Sequence, residues 1–172
     1  MTETRDYYNE AETVALDGLT PQQSVEAKPL IQQIVDDWLR QADEEETLER
    51  ADLVEIGLED LRNALTRKVG DARLATLHAQ ALKPTVQKTS GQAFALAKQV
   101  ADGDIDKQSA APQARQLQES IHKLIQQVNQ LKDEDNKRLF LRDLADGDLE
   151  TRYVLEDEEG AISIRLNRHI NG

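Results

Sequence analysis

Apolar residues first fall into a steady beat at Leu30, Ile31, Ile34, Val35, Trp38, Leu39 and Ala42, leaving Gln32, Asp36, Asp37 and Arg40 between them. Steps of three and four place such residues on one stripe of an α-helix. Upstream, Thr20-Pro21-Gln22-Gln23 predicts how that helix begins. Thr20 is an N-cap, Pro21 sits at the first helical position where no intrahelical amide bond is lost, and Gln23 closes a capping box. Pro29 predicts a short or kinked first turn. Val54, Leu58, Leu61, Leu65 and Val69 predict a second amphipathic helix, with Gly70-Asp71 as its stop and the next N-cap. Leu74, Leu77 and Ala81 mark a shorter helix halted before Pro84, and Thr89-Ser90 cap another that carries Phe94, Ala97 and Val100 on its face.

The cleanest period follows. Ala110, Ala114, Leu117, Ile121, Leu124, Val128 and Leu131 recur at alternating steps of four and three, a heptad pattern. Its central residues, Leu117, Ile121, Leu124, Val128 and Leu131, form either the core seam of an intramolecular bundle or the interface of a coiled-coil oligomer. The other amphipathic helices supply partners within the chain, while β-branched Ile121 and Val128 alternating with leucine suit a homo-oligomer. The phase slips at Asp133-Glu134-Asp135-Asn136, after which Leu139, Phe140 and Leu144 continue on a shifted face.

The two ends break the helical beat. Residues 1–19 show no sustained period and predict a flexible acidic arm, disordered or loosely strand-like. At the other end Tyr153 and Leu155 alternate, Glu158-Glu159-Gly160 turns, and Ile162, Ile164 and Leu166 alternate again. That pattern predicts a β-hairpin, which needs a docking surface because a lone two-stranded hairpin is marginal in water. The expected fold is therefore mainly α: a bundle of about five amphipathic helices over 20–146, one of them a coiled-coil-like heptad helix, with an arm over 1–19 and a C-terminal β-hairpin over 147–172.

A five-residue word occurs twice, as ADGDI at 101–105 and ADGDL at 145–149. A calcium loop needs oxygen ligands at its first, third and fifth positions, glycine at the sixth and a bidentate glutamate at the twelfth. Counted from Asp102, the sixth position is Lys107 and the twelfth Gln113; counted from Asp146, the sixth is Thr151 and the twelfth Asp157. Both lack the turn glycine. The words read instead as two helix stops, each with glycine in the left-handed conformation just past the last turn and Ile105 or Leu149 packing back.

Composition narrows the chemistry. Among 172 residues there is no cysteine, so disulfides, thiolate metal sites and cysteine nucleophiles are excluded. His78, His122 and His169 each stand alone, without a second histidine at metal-binding spacing. No nucleophile elbow, phosphate-binding glycine loop or zinc-protease motif occurs, and no cofactor is expected. Aromatics make up 3% of the chain, so the core must be aliphatic. No apolar run reaches the roughly 18 residues of a membrane span, and the acidic start MTETRDYYNEAE has no apolar h-region, so a cytoplasmic protein without membrane association is expected.

Charge is unevenly placed. Residues 1–60 hold 17 acidic and 4 basic side chains, a balance of −13, and residues 61–100 hold one acidic and seven basic, a balance of +6. Residues 101–172 hold 15 acidic and 10 basic, a balance of −5. Arg62, Arg67, Lys68, Arg73, Lys83 and Lys88 of the middle block are candidates for contact with nucleic acid or an acidic partner. Against nucleic acid, no aromatic stacking platform lies between Trp38 and Phe94. Together these features predict a non-enzymatic interaction or assembly protein. Such a protein would be an accessory or structural subunit of a larger complex, viral or phage particles included, acting through its helices and a hairpin edge. A nucleic-acid-binding accessory protein using the 62–98 bases is the alternative.

Overall fold

A computed structural model describes residues 6–45 and 48–156 of the chain. Those residues form six α-helices: α1 (Tyr7–Ala15), α2 (Pro21–Glu44), α3 (Arg50–Leu65), α4 (Gly70–Ala101), α5 (Lys107–Asn129) and α6 (Glu134–Leu155). The mainly α expectation holds. The chain divides into two compact units, Met1–Pro84 with Leu131–Asn136, and Thr85–Gln130 with Lys137–Gly172.

In the first unit α1, α2 and α3 pack on one another. Ile31, Ile34, Val35, Val54, Leu58 and Leu61 lie at the centre of their core, joined by Leu77 and Ala81 of α4. The start of α2 follows the sequence reading. Thr20 Oγ1 accepts from the Gln23 amide at 3.1 Å, and Gln23 Oε1 accepts from the Thr20 amide at 3.0 Å. The helix then runs on through Pro29. Trp38 lies flat against Gly57 of α3, where an added methyl would stand 2.3 Å from the indole. Only glycine permits that approach.

The expected arm is partly a helix. Asp6 caps α1 by accepting from the Asn9 amide at 3.0 Å, and Ala11 and Ala15 are fully buried. A stripe does exist here, at Tyr7, Ala11, Val14 and Ala15, but alanine carries half of it. Alanine gives a weak hydropathy contrast and a very strong helix preference, so the pattern hid from a search for large apolar residues.

Three further expectations fail. Pro84 does not halt a helix, because α4 runs for 32 residues with Pro84 inside it. Val69 is not on the α3 face; α3 ends at Leu65 and Val69 is 67% exposed beside Gly18. Phe94 is 40% exposed, and the buried face of that part of α4 is Ala93, Leu96 and Ala97 instead. At Phe94 the largest apolar residue marks the wrong side of the helix, and at Val69 the apolar beat runs past the helix end.

The second unit contains the end of α4, α5 and most of α6. Ala110, Ala114, Leu117, Ile121, Leu124 and Val128 are all buried, at 7% exposure or less, so α5 turns its heptad face into the core of the single chain. Phe140, Leu144, Gly147, Thr151 and Val154 are buried along α6 and repeat at steps of four, three, four and three.

That rhythm overturns the start of the C-terminal hairpin. Tyr153 and Leu155 are not alternating strand positions but the last turn of α6. Buried Gly147 and Thr151 lead the helical face to Val154, and a search for large apolar residues skips both. There is no strand among the described residues. The remainder of the predicted hairpin, from Glu158 to Leu166, lies outside the described residues.

Candidate interaction surfaces

The seam residues and the basic block have very different fates. Leu117, Ile121, Leu124 and Val128 are core, and Leu131, just past α5, is half-buried. The six basic residues have different surroundings. Arg62 is exposed on α3, 3.8 Å from Glu59. Arg67 is exposed with a left-handed backbone, φ 66°, and Lys83 and Lys88 are exposed on α4.

Lys68 and Arg73 serve the first unit internally. The Arg73 guanidinium donates to the carbonyls of Val14 and Ala15 at 2.9 and 3.2 Å, and to those of Leu65 and Lys68 at 3.3 and 2.8 Å. Val14 and Ala15 close α1 and Leu65 closes α3, so one cation satisfies carbonyls at the negative ends of two helices. Lys68 Nζ donates to Thr76 at 2.8 Å and stands 3.7 Å from Asp133. Burial pushes the Asp133 carboxyl up, yet it is held below the ordinary carboxylate range. Hydrogen bonds from the Asn136 side chain and amide and from Thr76, with the Lys68 charge beside them, outweigh burial.

The second unit has its own buried carboxylate. Asp148, with its side chain 12% exposed, meets His122 Nε2 at 3.2 Å and Arg152 Nε at 3.0 Å. Nearby, the Ser90 hydroxyl donates to the Asp143 carbonyl at 2.8 Å. Its proton is thus committed to backbone and not to a base. The His122–Asp148 contact links α5 to α6 and the Arg152–Asp148 ion pair lies within α6; neither is the nucleophile–base hydrogen bond that covalent catalysis uses. Among the described residues no three His, Asp or Glu side chains come together as a metal cage.

Outward-facing apolar residues supply the remaining candidates. A groove of about 480 Å³ in the first unit is lined by Tyr8, Glu12, Val25, Lys28, Pro29 and Gln32, with Ile31 at its base. Val25 is 73% exposed there. The Tyr8 hydroxyl donates to Asp36, and that bond raises the phenol above its ordinary range. Ile56, 53% exposed, points away from the core on α3. In the second unit a groove of about 430 Å³ is mostly polar, lined by Gln92, Gln113, Gln116, Glu119, Ser120 and Lys123 around Leu117.

Sequence reasoning missed Val25 and Ile56, although both leave a signal. Each is a β-branched residue out of phase with the apolar stripe of its own helix, where polar side chains are the rule. Among the described residues no helix is long and apolar enough to cross a membrane.

No protein family, curated protein or solved structure matches this chain.

Proposed function

We propose that the chain is a non-enzymatic helical interaction protein, a subunit that joins a larger assembly through outward helical faces. The observation that carries this reading is the placement of apolar residues. The heptad face is taken up by the chain's own core, while Val25 and Ile56 stand on the solvent side of helices that already have a full buried stripe. An exposed aliphatic side chain beside a groove suits docking of an extended or helical segment. The α1–α3 surface is acidic overall, and that sets the orientation of a partner more than its affinity. A structural or accessory role, in a cellular complex or a viral particle, follows from the same surfaces.

The basic block supports the nucleic-acid alternative less well, because Lys68 and Arg73 are engaged in the interior network and Arg62 has an acidic neighbour. Recovery of the tagged protein from its native lysate, with and without nuclease, separates the two. The interaction reading expects a protein partner that survives nuclease and is lost with Val25→Glu. A nucleic acid that is retained at low salt and released when Arg67, Lys83 and Lys88 are neutralised would replace that reading with the alternative.

A further inference from the structure

Ile56 stands in unusual company. Asp52 lies one turn before it, Glu59 and Asp60 one turn after, and Glu55 beside it, all exposed. Helix geometry puts Asp52, Ile56, Glu59 and Asp60 on one outward stripe, opposite the buried Val54, Leu58 and Leu61. Glu59 and Asp60 lie toward the C-terminal end of α3, where negative charge is disfavoured. Arg62 relieves part of this from 3.8 Å away. An acidic face that is unfavourable in the isolated chain and has an isoleucine at its centre is suited to a basic surface with a shallow apolar notch.

The chain carries such a surface itself. Over residues 85–101, α4 has no acidic side chain. Its outward stripe is Lys88, Gly91, Ala95 and Lys98, with Phe94 at the edge, opposite the buried Val86, Ala93 and Ala97. Nothing stands within 4 Å of where a side chain at Gly91 would begin, so Gly91 and Ala95 form an open shallow notch between two lysines. The lengths agree. Lys88 and Lys98 are about 15 Å apart along the helix, and Asp52 and Asp60 about 12 Å, at 1.5 Å rise per residue.

We propose that a second copy of the chain is the partner of the acidic α3 face. The face pairs with the Lys88–Lys98 stripe of α4 in that copy, Ile56 seats between Gly91 and Ala95, and Phe94 covers one side. The contact is heterologous, since each copy offers a different surface to the next. Repetition therefore gives a ring or a filament and not a two-fold dimer. Charge opposition fixes the register, and the lysines offset the negative charge near the C-terminal end of α3.

This rests on the interaction reading above and names its partner. The absence of cysteine makes the test clean. Full-length Ile56→Cys and Ala95→Cys proteins, each verified by circular dichroism, are mixed under mild oxidation and the rate of disulfide formation is measured. The mixture is expected to cross-link roughly tenfold faster than either variant alone, because pairing raises the effective thiol concentration. Adding Lys88→Glu and Lys98→Glu to the Ala95→Cys protein should remove that advantage, and adding Glu59→Lys and Asp60→Lys to the other should restore it. Equal rates in the mixture and in the single variants overturn the self-pairing. If a Val25-dependent partner is nevertheless recovered from the lysate, the broader interaction reading stands without it. Release of a basic protein by Glu59→Lys with Asp60→Lys, again without preferential cross-linking, assigns the acidic face to that protein and also overturns the self-pairing.

Discussion

The tetrapeptide Ala-Asp-Gly-Asp occurs at 101–104 and again at 145–148, and the two copies do opposite things. The first ends α4. Gly103 takes φ 81°, its amide donates to the Val100 carbonyl at 3.1 Å, and the Asp104 amide donates to the Gln99 carbonyl at 2.9 Å. That pair of bonds is the Schellman stop, which glycine makes without strain. The second copy lies within α6, with Gly147 helical and buried beside Ile121 and Ser90. What differs is the sequence that follows. After Gly103 comes Asp106, which caps the next helix by accepting from the Ser109 amide at 2.7 Å. After Gly147 come Thr151 and Val154, which continue the buried stripe begun at Phe140 and Leu144. Identical local chemistry yields to the packing on either side of it.

The largest test of this contrast is to enlarge both glycines. At Gly147 a leucine side chain would have to displace Ile121 and the α4 backbone at Ser90, which already stand 3.4 to 3.5 Å from the first added carbon. Gly147→Leu should cost about 3 kcal/mol or abolish folding, as overpacking of a tight helix crossing does. At Gly103 an added Cβ meets nothing within 4 Å, and Gly103→Leu should cost about 1 kcal/mol, the penalty of a left-handed backbone for a residue with a Cβ. Denaturant melts of both variants decide the matter. Equal losses would mean that the second glycine is also chosen for its backbone and not for close approach.

The aspartates give the next contrast. Asp148 is buried and joins His122 to Arg152, whereas Asp104 is exposed and is engaged through its backbone amide. Asp148→Ala should therefore destabilise by about 1 to 2 kcal/mol, and Asp104→Ala should stay within about 0.5 kcal/mol of the wild type. Thermal melts of the pair would reverse the assignment if Asp104→Ala proved the costlier change.

How much of this was legible depends on which residues carry the signal. The α2 capping box and the α5 heptad were plain because each uses residue types that do little else at those spacings: Thr20 with Gln23, and Ile121 with Leu124 and Val128. What sequence missed was carried by small or polar core residues. Ala11 and Ala15 hide α1; Gly147 and Thr151 hide the second half of α6, and with it the error of placing Tyr153 and Leu155 in a strand. The basic block misled for another reason. A linear count cannot tell that Arg73 reaches back to Val14 and Ala15, nor that Lys68 meets Asp133, because both contacts cross more than 55 positions of sequence. Ile56 was readable in principle, as an apolar residue on the wrong phase among carboxylates.

Alanine sharpens the glycine contrast into one of sign. Gly103→Ala places a Cβ at φ 81° and should cost about 1 kcal/mol. Gly147→Ala adds a methyl at 3.4 Å from Ile121 Cδ1 and Ser90 Oγ, ordinary contact distances, while removing up to about 1 kcal/mol of helix-propensity penalty. It should be neutral or stabilising. A shared direction in the two melts would show that the second glycine sits in more strain than its helical position implies.

The smallest effect concerns the residue that completes the first stop. The Ser109 amide bonds to the Asp106 carboxylate and, with the Ser109 hydroxyl, holds its pKa below the ordinary aspartate value. A group depressed on folding contributes stability above its unfolded value, roughly pH 4, and loses it as pH falls through the lower folded value. The cap should therefore persist a little below pH 4 and loosen beneath that, with the Ser109 amide resonance titrating at the same midpoint. Asp106→Asn keeps an acceptor at the cap and should flatten that titration while leaving α5 intact at acid pH. If the asparagine variant still titrates, the proton is binding elsewhere, and the difference between the two words does not extend to the cap that follows the first.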